Sequence, residues 1–438
     1  PADVFIINTC CFIHAAKNES IDTILEIAAK KKAGLFKKIV VTGCLTERYR
    51  DELPDLLPEV DSFVGISEQA GMAKIIKEIL DSDLKTSKNG PDARPSASTQ
   101  PERTRKYVRI AGLRTTQQMG SFWRFSRYIK ISEGCSHQCS FCIIPKVRGP
   151  LVSQTPDDIV TEIKSTLKNG VKEFNLIAQD LNEYGRDLHP RGSLTRLLDT
   201  MDKVDGEFWL RLLYMYPLQF PDKLIKLIAQ SKHILKYVDI PLQHISDHML
   251  RLMNRGSSSK YIYRLIEKLK TEIPDIVIRT TFLVGHPGET QKDFEQLMRF
   301  VKDIEFDRVG VFTYSHEENT PASSMKDPVL EKTAQARKDA LLKLQQKISL
   351  KKNRQWIGKT VRTLIEGPSK ESDLLWQGRF YGQAPDIDGV ILINKGSAPI
   401  GSFADVKITD AFEYDLLGEM INNTEVKDFS CARTLVSS

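Results

Sequence analysis

Three of the seven cysteines fall within eight residues, at Cys135, Cys139 and Cys142 in the stretch EGCSHQCSFCIIPKVRGP (133–150). Thiolates at this C-x3-C-x2-C spacing, on one loop after a strand, can hold three corners of an iron–sulfur cube. The fourth iron then has no ligand from the loop and stays open to a substrate. A structural zinc site is the alternative, but zinc asks for four ligands, usually as two separated pairs. His137 sits inside the loop, where it would compete with the sulfurs for space, and reads as a bystander. The remaining cysteines are Cys10, Cys11, Cys44 and Cys431. In a reducing compartment, clustered cysteines point to metal or redox chemistry rather than to disulfides.

The elements that must position these thiols can be read from the alternation of apolar runs. Residues 3–8, 39–43 and 62–65 read as strands, with helical stretches near 16–33, 46–52 and 70–81, which predicts a small parallel α/β domain. Residues 82–105 are rich in Ser, Pro, Lys and Asp and read as a linker. A longer series follows, with strands at 128–131, 172–178, 207–213, 236–242, 275–285 and 307–314. Thr155 before Pro156, and Thr290 before an acidic turn, are N-cap signals for two of the intervening helices. Six such units predict an incomplete parallel barrel with its chemistry at the C-terminal strand ends. A Lys-rich helical stretch at 329–357 leads into short β-like runs at 358–420, expected to close as a small barrel. The expected division is therefore 1–81, linker 82–120, barrel with its following helix 121–357, β-barrel 358–421 and tail 422–438.

A chain of 438 residues is long enough for about three domains. Its 41% hydrophobic and 27% charged residues are those of an ordinary globular protein, and no apolar run approaches the roughly 18 residues of a membrane span. A cytoplasmic setting is expected. The chain opens inside its first strand without an initiator Met, so it is expected to continue upstream.

The segments INTCCFIHAAKNESID, VTGCLTERY, YIKISEGCSHQCSFCIIPKVRGPLVS, LIAQDLNEYGRD, DIPLQHISDHMLRLMNR, RTTFLVGHPGET and FDRVGVFTYSHEENTPA occur in that order. Together they resemble the radical S-adenosylmethionine methylthiotransferase family, with an N-terminal α/β domain, a radical barrel and a C-terminal TRAM β-module. Within it, RLLYMYP, DIPLQHIS and the ending GQAPDIDGVILI…DAFEYDLLGE are similar to the RimO-like branch, which modifies an aspartate of the twelfth protein of the small ribosomal subunit. The alternative is the MiaB-like branch, which modifies an adenosine in transfer RNA.

The resemblance implies two [4Fe–4S] clusters and S-adenosylmethionine. Cys135, Cys139 and Cys142 would hold the cluster whose open iron binds S-adenosylmethionine, and Cys10 and Cys44 two corners of an auxiliary cluster, with its third cysteine upstream. Cys11 reads as a small buried side chain and Cys431 as a surface thiol. Phe141, Gln179, Gln243 and Gly285 are candidate S-adenosylmethionine contacts, and Arg255 could meet a carboxylate of cofactor or substrate. Cleavage of the cofactor would give an adenosyl radical that takes hydrogen from the aspartate β-carbon. An electron donor such as flavodoxin or ferredoxin and a monomeric state complete the expectation. Charge gives a separate argument for a protein target. From Trp356 to Glu419 six Lys/Arg face ten Asp/Glu, a net −4, which suits a basic ribosomal protein better than RNA phosphates.

Overall fold

The computed structural model describes residues 3–86, 125–218, 220–372 and 374–421. Cys431, the tail and most of the expected linker lie outside the described residues.

Three sheets organise the chain. In the first, β1 (Val4–Thr9), β2 (Lys38–Gly43) and β3 (Ser62–Val64) run parallel in that order. Ile7, Ile39 and Val41 pack with Ile24 and Ile27 of helix His14–Lys32. Helix Met72–Thr86 runs five residues past the expected boundary. The stretch 82–86 contains neither Gly nor Pro, so nothing in it stops a helix already nucleated upstream.

In the second sheet β4 (Ser126–Lys130), β7 (Glu173–Ile177), β8 (Trp209–Leu212), β9 (Ile234–Asp239), β10 (Val277–Val284) and β11 (Arg308–Thr313) are all parallel, in sequence order from edge to edge. This is a partial (βα)6 barrel. The short pair β5 (Ser132–Glu133) and β6 (Val152–Ser153) brackets the cysteine loop. Thr155 accepts from the Asp158 N–H at 3.2 Å, and Thr290 forms a capping box with Asp293, so both sequence caps form. Strand β9 ends at Asp239, short of the expected 242, because Pro241 cannot donate to a ladder. The core is aliphatic and aromatic, including Phe174, Leu210, Val238, Phe282 and Phe300, each contributing about 1.5–3 kcal/mol of burial. Helix Glu331–Arg354 adds Leu341 and Ile348 to it.

The third sheet is a closed barrel of β12 (Thr360–Pro368), β13 (Trp376–Phe380), β14 (Ile391–Lys395), β15 (Phe403–Ala411) and β16 (Leu416–Met420). It docks on the second sheet, at the strand starts, through buried ions. Glu173, the first residue of β7, receives Arg211 of β8 at 3.0 Å and Arg379 of β13 at 2.6 Å. Among the described residues no helix is long and apolar enough to cross a membrane.

Candidate active site

The C-terminal ends of the six barrel strands carry most of the predicted site. Cys135, Cys139 and Cys142 follow β4, and Gln179 lies two residues past β7. Gln243 and Arg255 follow β9, and Gly285 directly follows β10. The structure thus brings together, at one end of one sheet, residues spread over 150 positions.

Backbone bonds pin the cysteine loop from three sides. The Cys135 N–H donates to Gly149 O at 3.1 Å, Ser140 N–H to Met253 O at 3.0 Å, and Ala322 N–H to Ser140 O at 2.8 Å. Inside the loop, Cys142 N–H closes on Cys139 O at 3.1 Å. Cys139 is buried, while Cys135 and Cys142 are half-buried. Burial, with the neighbouring thiols, pushes Cys135 up to about 11 and Cys142 up to about 12. Both thiols therefore resist ionisation, Cys142 despite the nearby Arg255.

Arg255 reaches into this loop. Its guanidinium donates to Cys139 Sγ at 3.4 Å and to Pro241 O at 2.5 Å, and lies 4.0 Å over the Tyr216 ring. The sequence left Arg255 open between cofactor, substrate and surface; it is buried, against a thiol. His137 stacks on Tyr216, which the sequence did not single out, at 4.0 Å, and its Nε2 meets Asp180 Oδ2 at 2.7 Å. It is a strut between the loop and the end of β7, a more definite place than a bystander's.

The four candidate cofactor contacts differ. Gln179 donates to Glu133 Oε1 at 3.1 Å, while its own Oε1 is buried with no partner among the described residues. Gln243 holds φ +70°, costly for a residue with a Cβ, and its backbone bridges to Thr281 and Leu283 of β10. Phe141 packs with Met249, Met253 and Leu283 and meets His286 edge-on at 6.5 Å. Gly285 has a packing explanation: a Cβ there would lie 2.4 Å from that of Ala334 in helix Glu331–Arg354. Its backbone also lines a cleft of about 500 Å³ with Thr313, Tyr314, His316 and Met325.

The N-terminal sheet sits beside this end. Strands β1 and β2 pair with Thr9 opposite Gly43, so Cys10 and Cys44 follow directly on paired strand ends. Gly43 makes that approach possible, since a Cβ on it would lie 2.3 Å from Thr9 O, at φ +104°. Cys10 is exposed and Cys44 buried. Cys11 is fully buried, among Ile24, Leu45 and their neighbours, and burial first, then Cys44, pushes it up to about 12. Arg48 pairs with Glu317 beyond β11 at 2.7 Å and donates to Cys11 O at 3.0 Å.

Sequence reasoning missed Glu133 and Arg148. Glu133 accepts from Lys130 at 2.5 Å and from Arg148 at 2.6 Å, and Arg148 also donates to Cys44 Sγ at 3.1 Å. Burial alone would raise Glu133, but Arg148 and Lys130 outweigh it and hold the carboxyl low. The only signal was their adjacency to the cysteine motif.

The chain matches the radical SAM superfamily over residues 129–301, the TRAM domain over 357–421 and the uncharacterized protein family UPF0004 over 1–65. It is similar to the ribosomal protein uS12 methylthiotransferase RimO of Bdellovibrio bacteriovorus, at 44% identity over 96% of this chain and 90% of that protein. The RimO protein of Geobacter sulfurreducens is 43% identical over 96% of this chain and 91% of its own. Among solved structures, the radical S-adenosylmethionine methyltransferase TsrM from Kitasatospora setae has a TM-score of 0.53 at 16% identity, covering 73% of this chain and 63% of TsrM. That is a likeness of fold.

Proposed function

The chain belongs to the RimO family of ribosomal protein uS12 methylthiotransferases, and from that premise we infer that it adds a methylthio group to the β-carbon of an aspartate in uS12. The observation that carries this reading is near-full-length identity to uS12 methylthiotransferases, joined to three thiols on one loop at the C-terminal end of a parallel half-barrel. The transfer-RNA alternative has less support: the relatives are named for uS12. Three of the eight cations on helix Glu331–Arg354 are also engaged in ion pairs, Arg337 with Glu289, Lys351 with Glu305 and Lys352 with Asp307.

The residues fit the cofactors that the family implies. Three thiols on one loop that offers no fourth cysteine suit a [4Fe–4S] cluster with one iron open. Cys135, Cys139 and Cys142 would hold it, and Cys10 and Cys44 would supply two corners of a second. The orphaned Gln179 Oε1 offers an acceptor to an ammonium group such as that of S-adenosylmethionine. When bound, cluster and S-adenosylmethionine supply one-electron reductive chemistry that generates a hydrogen-abstracting radical.

The chain's own residues do the rest. Arg255 donates to Cys139 Sγ and, held by Pro241 O and the Tyr216 ring, fixes where that sulfur lies. The Ser140 and Ala322 backbone bonds fix the loop against movement, so the thiols are held in place before any cofactor arrives. Helix Glu331–Arg354 packs against the end of β10 at Gly285, where Ala334 leaves no room for a side chain. A flavodoxin- or ferredoxin-like donor, action as a monomer and a cytoplasmic location complete the proposal.

The test is mass spectrometry of uS12 from a strain lacking this gene. Wild-type enzyme is expected to restore one methylthio group to uS12, and Cys139→Ala to restore none. Modification of transfer-RNA adenosine with uS12 unchanged contradicts the reading.

A further inference from the structure

One hydrogen-bonded path runs from the barrel to the N-terminal sheet. Gln179 Nε2 donates to Glu133 Oε1 at 3.1 Å, the same oxygen accepts from Arg148 at 2.6 Å, and Arg148 donates through its other terminal nitrogen to Cys44 Sγ at 3.1 Å. Its middle members flank the radical-site thiols in sequence, Glu133 two residues before Cys135 and Arg148 six after Cys142. Arg148 sits on the five-residue helix Ile144–Arg148, whose Val147, with the preceding Ile143, packs into the core of the N-terminal domain. The loop that carries the three thiols therefore ends inside the neighbouring sheet's core. A guanidinium suits this bridge because its planar fork presents separate N–H donors to a carboxylate and a sulfur at once.

We propose that Arg148 is a positioning residue that joins the two thiol sites, holding Cys44 against the barrel and setting the reduction potential of an iron–sulfur cluster bound through it. The proposal rests on the reading of Cys44 as a cluster ligand. Potentials of such clusters follow the net charge nearby and hydrogen bonds to their sulfurs, and an N–H···S bond from a cation favours the more negative, reduced form. Glu133 opposes it, because its carboxylate shares Arg148 with the sulfur and partly cancels the positive charge brought there.

The test uses reconstituted enzyme carrying Cys135→Ala, Cys139→Ala and Cys142→Ala, in which the cluster observed is the one through Cys10 and Cys44. Its midpoint potential is read by EPR-monitored titration, with iron content measured alongside. Arg148→Met is expected to shift the potential to more negative values by at least a tenfold change in the one-electron equilibrium, about 59 mV. Arg148→Lys, which keeps the charge but not the fork, should shift it less. Glu133→Gln should shift it the other way, and it carries the test if Arg148→Met fails to fold. Unchanged potentials in Arg148→Met and Glu133→Gln, at parental iron content, overturn the proposal and leave Cys44 standing as a ligand. A parent protein without iron overturns the reading of Cys44, and the proposal with it.

Discussion

The two ends of the six-stranded sheet are built on opposite terms. At the strand starts, Glu173, Arg211, Arg379 and Glu366 form a buried ionic cluster against the C-terminal barrel, with Ser126 and Gln377 adding hydrogen bonds. At the strand ends, the half-buried thiols Cys135 and Cys142 have their ionisation suppressed, Gln179 Oε1 and Arg255 Nε lack partners among the described residues, and Gln243 holds a left-handed backbone. The charges of the cluster at the strand starts are all paired, although Asn175 Oδ1, His233 Nε2 and Arg308 Nε near that end have no partner among the described residues. In parallel barrels generally, the C-terminal face carries chemistry and the opposite face carries stability.

The contrast can be broken most forcefully at the start of β7. Glu173→Ala leaves Arg211 and Arg379 buried without their shared carboxylate, and is expected to cost about 3–5 kcal/mol. Denaturant unfolding measures it, and a loss under about 1 kcal/mol would show that this end is not the stabilising one.

The pH dependence adds a second contrast, because two buried carboxylates of this sheet are shifted in opposite senses. Burial would raise Glu173, but Arg379 and Arg211 overcome it and hold the group down at about 2, below its ordinary 4.5. Its contribution is complete above the ordinary value and fades as pH falls towards 2. Asp239, the last residue of β9, is raised by burial from 3.8 to about 6, with Arg279 only partly offsetting. Its charge is a cost above pH 6, and stability grows as pH falls through 6 towards 4. Asp239→Asn should thus stabilise the protein near neutral pH, by up to about 3 kcal/mol, and remove that rise. Glu173→Gln should instead flatten the acid limb below about pH 4.5. Melting curves from pH 3 to 8 check both, and slopes of the same sign contradict the contrast.

The smallest effect belongs to neither end. Arg362 pairs with Glu207 across the junction with the C-terminal barrel, but both side chains are at least half exposed. Arg362→Ala should change stability by less than about 1 kcal/mol in the same assay.

The order of strands and helices was legible because apolar periodicity and two threonine caps report locally. So were the thiol loop and the places of Cys10 and Cys44 just after the strands at 3–8 and 39–43, whereas the close approach of Thr9 to Gly43 came from the structure. Gly285 was only half legible, since the reason for a glycine lies in Ala334, 49 residues away, on a helix whose docking no local pattern reveals. Arg148 was not legible. Its two partners lie 15 and 104 residues away, and only the packing of two domains brings them to one guanidinium. Composition also misplaced the end of helix Met72–Thr86, because a polar stretch without Gly or Pro can continue a helix as readily as end it.

The central claim is a cluster held by Cys135, Cys139 and Cys142 with one iron left open for S-adenosylmethionine. Its most direct test is the EPR spectrum of the reduced, anaerobically reconstituted enzyme before and after S-adenosylmethionine is added. The account predicts a cluster signal that changes on addition and is absent from Cys139→Ala. Zinc in place of iron, or a signal that S-adenosylmethionine leaves unaltered, contradicts it.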